Sequence, residues 1–114
     1  MEMQKEVQGD VLVLKISGEV MGGEDLIPFQ ETIHQSIQDG LVNAVADLSS
    51  VKWMNSSGLG MMMAGLTTLR SSDGDLKLAC VSDRVRRPMK ITRLDLVFEI
   101  FDTVQSAIAS FEGD

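Results

Sequence analysis

Residues Trp53 to Met63, WMNSSGLGMMM, place two adjacent hydroxyls beside two glycines in a stretch without charge. Such a group can supply a catalytic nucleophile, a cradle for a bound phosphate, a helix cap, or an acceptor for a phosphoryl group delivered by another protein. Nucleophilic catalysis needs a base beside the serine, and the strand-to-helix elbow that presents one has the form G-x-S-x-G. Here Met54 stands two residues before Ser56, and Asn55 two before Ser57. The single histidine, His34, falls on the polar side of an amphipathic helix, where exposure to solvent is expected. No enzyme of this class is expected. Gly58-Leu59-Gly60 begins a G-x-G-x-x-G series, but Met63 occupies the third glycine position, and the chain lacks the lysine-serine or lysine-threonine pair of a P-loop. One cysteine and one histidine cannot fill the usual zinc or iron-sulfur ligand sets, so neither metal nor cofactor is expected.

Two readings of the serines remain. Asn55, Ser56 or Ser57 can accept from the free amides of a helix's first turn, worth about 1 kcal/mol, with Gly58 and Gly60 permitting close packing. A cap needs only one such residue, and the positive end of a helix also favours a covalent phosphate. The two readings are compatible.

The elements that must position this stretch follow from pattern. Val11 to Ser17, VLVLKIS, reads as a strand bounded by Gly9-Asp10 and Gly18, and Met3 to Val7 pairs with it as a hairpin through Gln8-Gly9-Asp10. Phe29, Ile33 and Ile37 recur at helical spacing between Glu24 and Asp39, with Pro28 in the first turn and Gly40 at the stop. Val42 to Leu48 is short and apolar, as in a strand covered on both faces. A second helix should run from Ser56 to Ser71 on Leu59, Met62, Met63, Leu66 and Leu69, which leaves Met61 nearer the surface as a candidate partner contact. Leu76 to Val81 reads as a strand, Arg84 to Thr92 as a basic helix interrupted or bent near Pro88, and Leu96 to Phe101 as a last strand. Asp102 with Gln105 resembles a capping box for a final helix carrying Val104, Ile108 and Phe111. The ends, including Glu112-Gly113-Asp114, are expected to be loose. Strands alternating with helices predict an α/β fold with a largely parallel sheet.

A chain of 114 residues is long enough for one core, so a single domain over residues 1–114 is expected. No apolar run reaches the roughly 20 residues of a membrane span, and the N-terminus lacks an export signal. Cys80, inside LKLACV, reads as a small buried hydrophobe, and a lone cysteine suits a reducing cytoplasm. The net charge of −7 favours solubility and opposes nonspecific binding to DNA, RNA or acidic membranes. Against that background Arg84, Arg86, Arg87, Lys90 and Arg93 concentrate positive charge on one short element, either as a solvated face or as a contact for an acidic partner or anionic membrane.

The run Asp47-Leu48-Ser49-Ser50-Val51-Lys52-Trp53-Met54-Asn55-Ser56-Ser57-Gly58-Leu59-Gly60 resembles the signature of STAS domains, specifically the bacterial anti-sigma factor antagonists, D-L-S-x-[VL]-x-[FY]-[ILM]-D-S-[ST]-G-[LI]. Asn55 stands where many members carry aspartate, and Val20-Met21 where antagonists often carry leucine-aspartate after Gly18-Glu19. The resemblance extends over nearly the whole chain. It implies a STAS fold: a mostly parallel sheet of about five strands, an N-terminal hairpin, and about four helices packed mainly on one face. It also implies a binding switch without catalysis of its own. A serine kinase that doubles as the anti-sigma factor would phosphorylate Ser56, with Ser57 the second choice, and a metal-dependent serine phosphatase would reverse the step. The unphosphorylated form would bind the kinase and free the sigma factor. Asn55, Ser57 and Gly58 would then be cap and motif residues, with Met61, Arg84 and Arg87 the candidate partner contacts; nucleic-acid binding and direct membrane insertion are not implied. A STAS subunit that regulates a transporter or larger signalling complex without phosphorylation is the alternative.

Overall fold

The computed structural model describes residues 1–112. Two strands, β1 (Glu2–Gln8) and β2 (Val11–Val20), form an antiparallel hairpin in which Gln8 faces Val11 across Gly9-Asp10. Helix α1 (Leu26–Gln38), strand β3 (Asn43–Met54), helix α2 (Ser56–Arg70), strand β4 (Asp75–Ala79), helix α3 (Asp83–Ile91), strand β5 (Ile100–Phe101) and helix α4 (Val104–Glu112) follow. The sheet order is β1-β2-β3-β4-β5, and every pairing after the hairpin is parallel. Each parallel step is bridged by a helix, as adjacent parallel strands require.

The alternation of side chains along β2, β3 and β4 divides the interior into two layers. Leu12, Leu14, Ile16, Ala44, Ala46, Leu48, Leu76 and Leu78 share one cluster with Phe29 and Ile33 of α1, Leu59, Met62, Leu66 and Leu69 of α2, and Val85 and Met89 of α3. The opposite face, through Val11, Val13, Val45 and Ala79, buries Ala107 and Ile108 of α4, with Val104 and Phe111 of the same helix packed at its margin. Three helices therefore lie on one face and one on the other.

Several boundaries differ from the sequence expectation. Strand β2 continues through Gly18 to Val20 instead of ending at Ser17, and β3 continues to Met54 instead of stopping at Leu48. In two places β3 spends one more residue than β2, between Asp47 and Ser50 and again between Val51 and Trp53. Each such bulge leaves an extra residue out of the ladder, bends the strand locally and increases its twist, yet pairing with β2 resumes beyond it. The last strand shrinks to Ile100–Phe101, because Leu94–Leu96 form a 3-10 turn after a left-handed Arg93 (φ 61°). Helix α3 runs through Pro88 unbroken; the amide that proline lacks would have bonded the carbonyl of Arg84, an exposed residue. The cap of α4 is Thr103 rather than Asp102: the Thr103 Oγ1 accepts from the Ser106 amide at 3.0 Å. Glu112 closes α4, while Gly113 and Asp114 of the expected loose end lie outside the described residues.

Candidate functional site

Strand β3 hands the chain directly to α2. The Asn55 N–H donates to the Val20 carbonyl at 3.2 Å, which ties the start of the helix to the end of β2. Asn55 is extended (φ −93°, ψ −178°), and its Oδ1 accepts from the Gly58 amide at 2.8 Å. This is the N-cap, and asparagine performs it as well as aspartate would. Ser56 and Ser57 are therefore the first two helical residues, both exposed, at the positive end of a 15-residue helix.

Two glycines fix the geometry around them. A side chain at Gly58 would run into the Val20 carbonyl, so the buried third residue of the helix must be glycine for the helix end to sit this close to β2. Gly22 has φ 75°, and a Cβ there would stand 2.9 Å from Ser57 Cβ. The loop between β2 and α1 thus lies against Ser57, while Ser56, one residue earlier, is turned by about 100° around the helix. Together Gly22, Gly23, Leu26, Ser57, Gly60, Met61 and Ala64 line a shallow groove of about 390 Å³. Exposed apolar side chains occur around it and in the strand leading in: Met21, Leu26, Ile27 and Trp53.

Met61 corrects an expectation. It is buried, 2% exposed, and it is Met63 that is half-buried. The apolar stripe is wider than the sheet-facing row alone, because Gly58, Met61 and Gly65 form a second row; Gly58 meets Val20 and Gly65 meets the Phe29 ring of α1. Met61 accordingly forms part of the groove floor rather than an exposed contact.

Arg84 and Arg87 are exposed, as expected, but on α3, which packs against β3 and the turn after it, whereas α2 packs against α1, β4 and β3. Neither arginine lines the groove beside Ser57. His34 is exposed on α1. Asp47, the first residue of the signature, accepts from the Ser49 amide at 3.0 Å, and so supports the first bulge of β3 rather than the serines. Cys80 is half-buried, not enclosed, with φ 60°; its thiol donates to the Asp102 carbonyl at 3.5 Å. Burial, followed by the Asp47 carboxylate, pushes that thiol's pKa up. Among the described residues no cluster of three or more potential metal ligands occurs, and no helix is long and apolar enough to cross a membrane.

The contributions missed from sequence are those of Val20 and Gly22. Gly22-Gly23 carried a signal, since paired glycines before a helix permit close approach, but what they approach lies 35 residues further along the chain at Ser57.

The STAS domain family model matches residues 2–107. The anti-sigma-B factor antagonist of Staphylococcus aureus is 35% identical over 65 residues, which are 57% of this chain and 60% of that protein; the match thus spans less than two thirds of the relative's length. An anti-sigma factor antagonist from Mycobacterium paratuberculosis has a similar structure, with a TM-score of 0.79 at 26% identity, covering 96% of this chain and 92% of that one. The anti-sigma factor antagonist SpoIIAA in its unphosphorylated form shares the fold with a TM-score of 0.84 at 20% identity, over 99% of this chain and 98% of its own. The phosphorylated form of Bacillus SpoIIAA superposes with a TM-score of 0.74 at 20% identity, over 96% and 99%.

Proposed function

The chain belongs to the STAS domain family, and from that premise we propose that it is an anti-sigma factor antagonist, a single cytoplasmic STAS domain switched by a phosphoryl group on Ser56. The observation that carries this reading is the division of labour at the start of α2. Asn55 Oδ1 caps Gly58, so the Ser56 hydroxyl is not needed for the helix and stands exposed at its positive end. A phosphate there is electrostatically favoured and leaves the core untouched. Ser57, against the Gly22 loop, has less room for one.

The partners proposed are a serine kinase that acts as the anti-sigma factor and a metal-dependent serine phosphatase. In this reading the kinase docks over the groove beside Ser57, with Met21, Leu26, Ile27 and Trp53 as its apolar contacts. Apolar and aromatic anchors of this kind supply most of the energy of a protein interface. A phosphoryl group of charge about −1.5 to −2 at the centre of that surface opposes docking through bulk, desolvation and repulsion. A loss of about 3 to 4 kcal/mol weakens affinity several hundredfold. The names of the Staphylococcus, Mycobacterium and Bacillus relatives support the same assignment.

Titration of the cognate kinase with the chain before and after phosphorylation tests the proposal. Tight binding before and loss after are expected. Equal affinity in both forms would remove the switch and favour a STAS subunit that regulates a transporter or larger assembly without phosphorylation.

A further inference from the structure

The molecule carries a second exposed surface that the Ser56 switch does not use. Between residues 83 and 96 the chain has five cations, Arg84, Arg86, Arg87, Lys90 and Arg93, against two carboxylates, Asp83 and Asp95, in a protein of net charge −7. Among the described residues the ion pairs are those of the N-terminus with Asp25, Arg70 with Asp75 and Lys77 with Glu99; none uses a cation of this segment. Among the described residues these cations therefore stand outside any ion pair, with Asp83 and Asp95 the two acids of their own segment.

Its arrangement is specific. Val85 and Met89, one turn apart, anchor the inner face of α3 in the core. Arg84, Arg87 and Ile91 share an outward row at i, i+3 and i+7, and Arg86 and Lys90 form the row beside it at i and i+4. Ile91 is 78% exposed, and Leu96, just past the left-handed turn at Arg93, is 79% exposed; they are the two most exposed large hydrophobic side chains described. Ile91 and Leu96 thus project beside cations that make no ion pair among the described residues. They match an interface whose outer layer is anionic and whose inner layer is apolar.

We propose that the outer face of α3, with the turn that follows it, is a peripheral docking surface for an anionic lipid membrane. The cations meet headgroup phosphates, their aliphatic stems lie along the boundary, and Ile91 and Leu96 reach the start of the acyl layer. No spanning helix is involved. A fluid surface suits these residues better than a protein pocket does, because it accommodates projecting groups on both sides of one turn without requiring a matched cavity for each. The α3 face is independent of Ser56, so failure of either proposal leaves the other standing.

Flotation of the purified chain with vesicles tests it. Vesicles with about 30% phosphatidylglycerol in phosphatidylcholine should bind the protein at least about tenfold more than phosphatidylcholine alone at low salt, and binding should fall steeply as salt is raised. The pair Arg84→Glu and Arg87→Glu should reduce binding about tenfold or more, and Ile91→Asp with Leu96→Asp should do likewise, while circular dichroism shows both variants folded. Absence of enrichment on anionic vesicles overturns the proposal and leaves an acidic protein as the occupant of this face. Binding that survives either double variant overturns it as well.

Discussion

Helices α2 and α3 both start with a polar cap at the end of a parallel strand, yet they use serine in opposite ways. At α3, Ser82 is itself the cap: its Oγ accepts from the Val85 amide at 3.4 Å, and four cations follow within the helix. At α2, Asn55 caps through a shorter bond of 2.8 Å, and an uncharged first turn follows. One hydroxyl is engaged in holding its helix, and the other is spared. The difference shows that a serine at a helix start becomes available for chemistry only when a neighbour takes over the capping. It also separates an uncharged first turn at α2 from one with fixed positive charge at α3.

The sharpest way to break the comparison is to place the same charge at both helix starts. Ser56→Asp should lower affinity for the kinase about a hundredfold, close to 3 kcal/mol, whereas Ser82→Asp should leave it within about threefold. Equal effects in titration calorimetry would mean that the first turn of α2 is not special.

Packing comes next in size. Gly58→Ala drives a methyl into the Val20 carbonyl and should cost about 2 to 3 kcal/mol in chemical denaturation. Gly60→Ala, two residues on with open space around it, should instead gain about 0.5 to 1 kcal/mol from helix propensity. A neutral Gly58→Ala would refute the close approach of α2 to β2.

The caps themselves give a smaller contrast. Asn55→Ala should cost about 1 kcal/mol and Ser82→Ala, with its longer bond, rather less, while Ser56→Ala should stay within about 0.5 kcal/mol of the parent. A large loss from Ser56→Ala would show the hydroxyl to be structural after all.

Much of α2 was legible because its signals are local. The polar cap, the two serines and the apolar period place its start within a residue of the observed Ser56. The site's other half was not legible. Ser49, Ser50, Lys52 and Trp53 break the apolar pattern of β3, and only the register against β2 reveals that bulges carry the strand on to Met54. Met61 was misplaced for a related reason: a periodic stripe marks the sheet-facing row, but the burial of a second row depends on α1 and β2, which arrive from elsewhere in the chain. At α4, Asp102 and Thr103 are both acceptable caps by type, and backbone geometry decides for Thr103. The alternating order of strands and helices, by contrast, constrained the sheet's parallel pairing before any contact was known.

Cys80 provides the mildest check. Because burial and Asp47 raise its pKa, the thiolate fraction at neutral pH is smaller than for a free cysteine. Alkylation by iodoacetamide should be slower than for a free thiol at neutral pH and should accelerate as pH rises; rapid neutral labelling would contradict that environment.

The central claim, that Asn55 frees Ser56 to accept a phosphoryl group, is tested most directly by incubating the chain with ATP and its cognate serine kinase and mapping the product by tandem mass spectrometry. The account predicts one phosphate, on Ser56, absent from Ser56→Ala and unaffected by Ser82→Ala. Phosphate on Ser57 or Ser82 instead, or none with an active kinase, would contradict it.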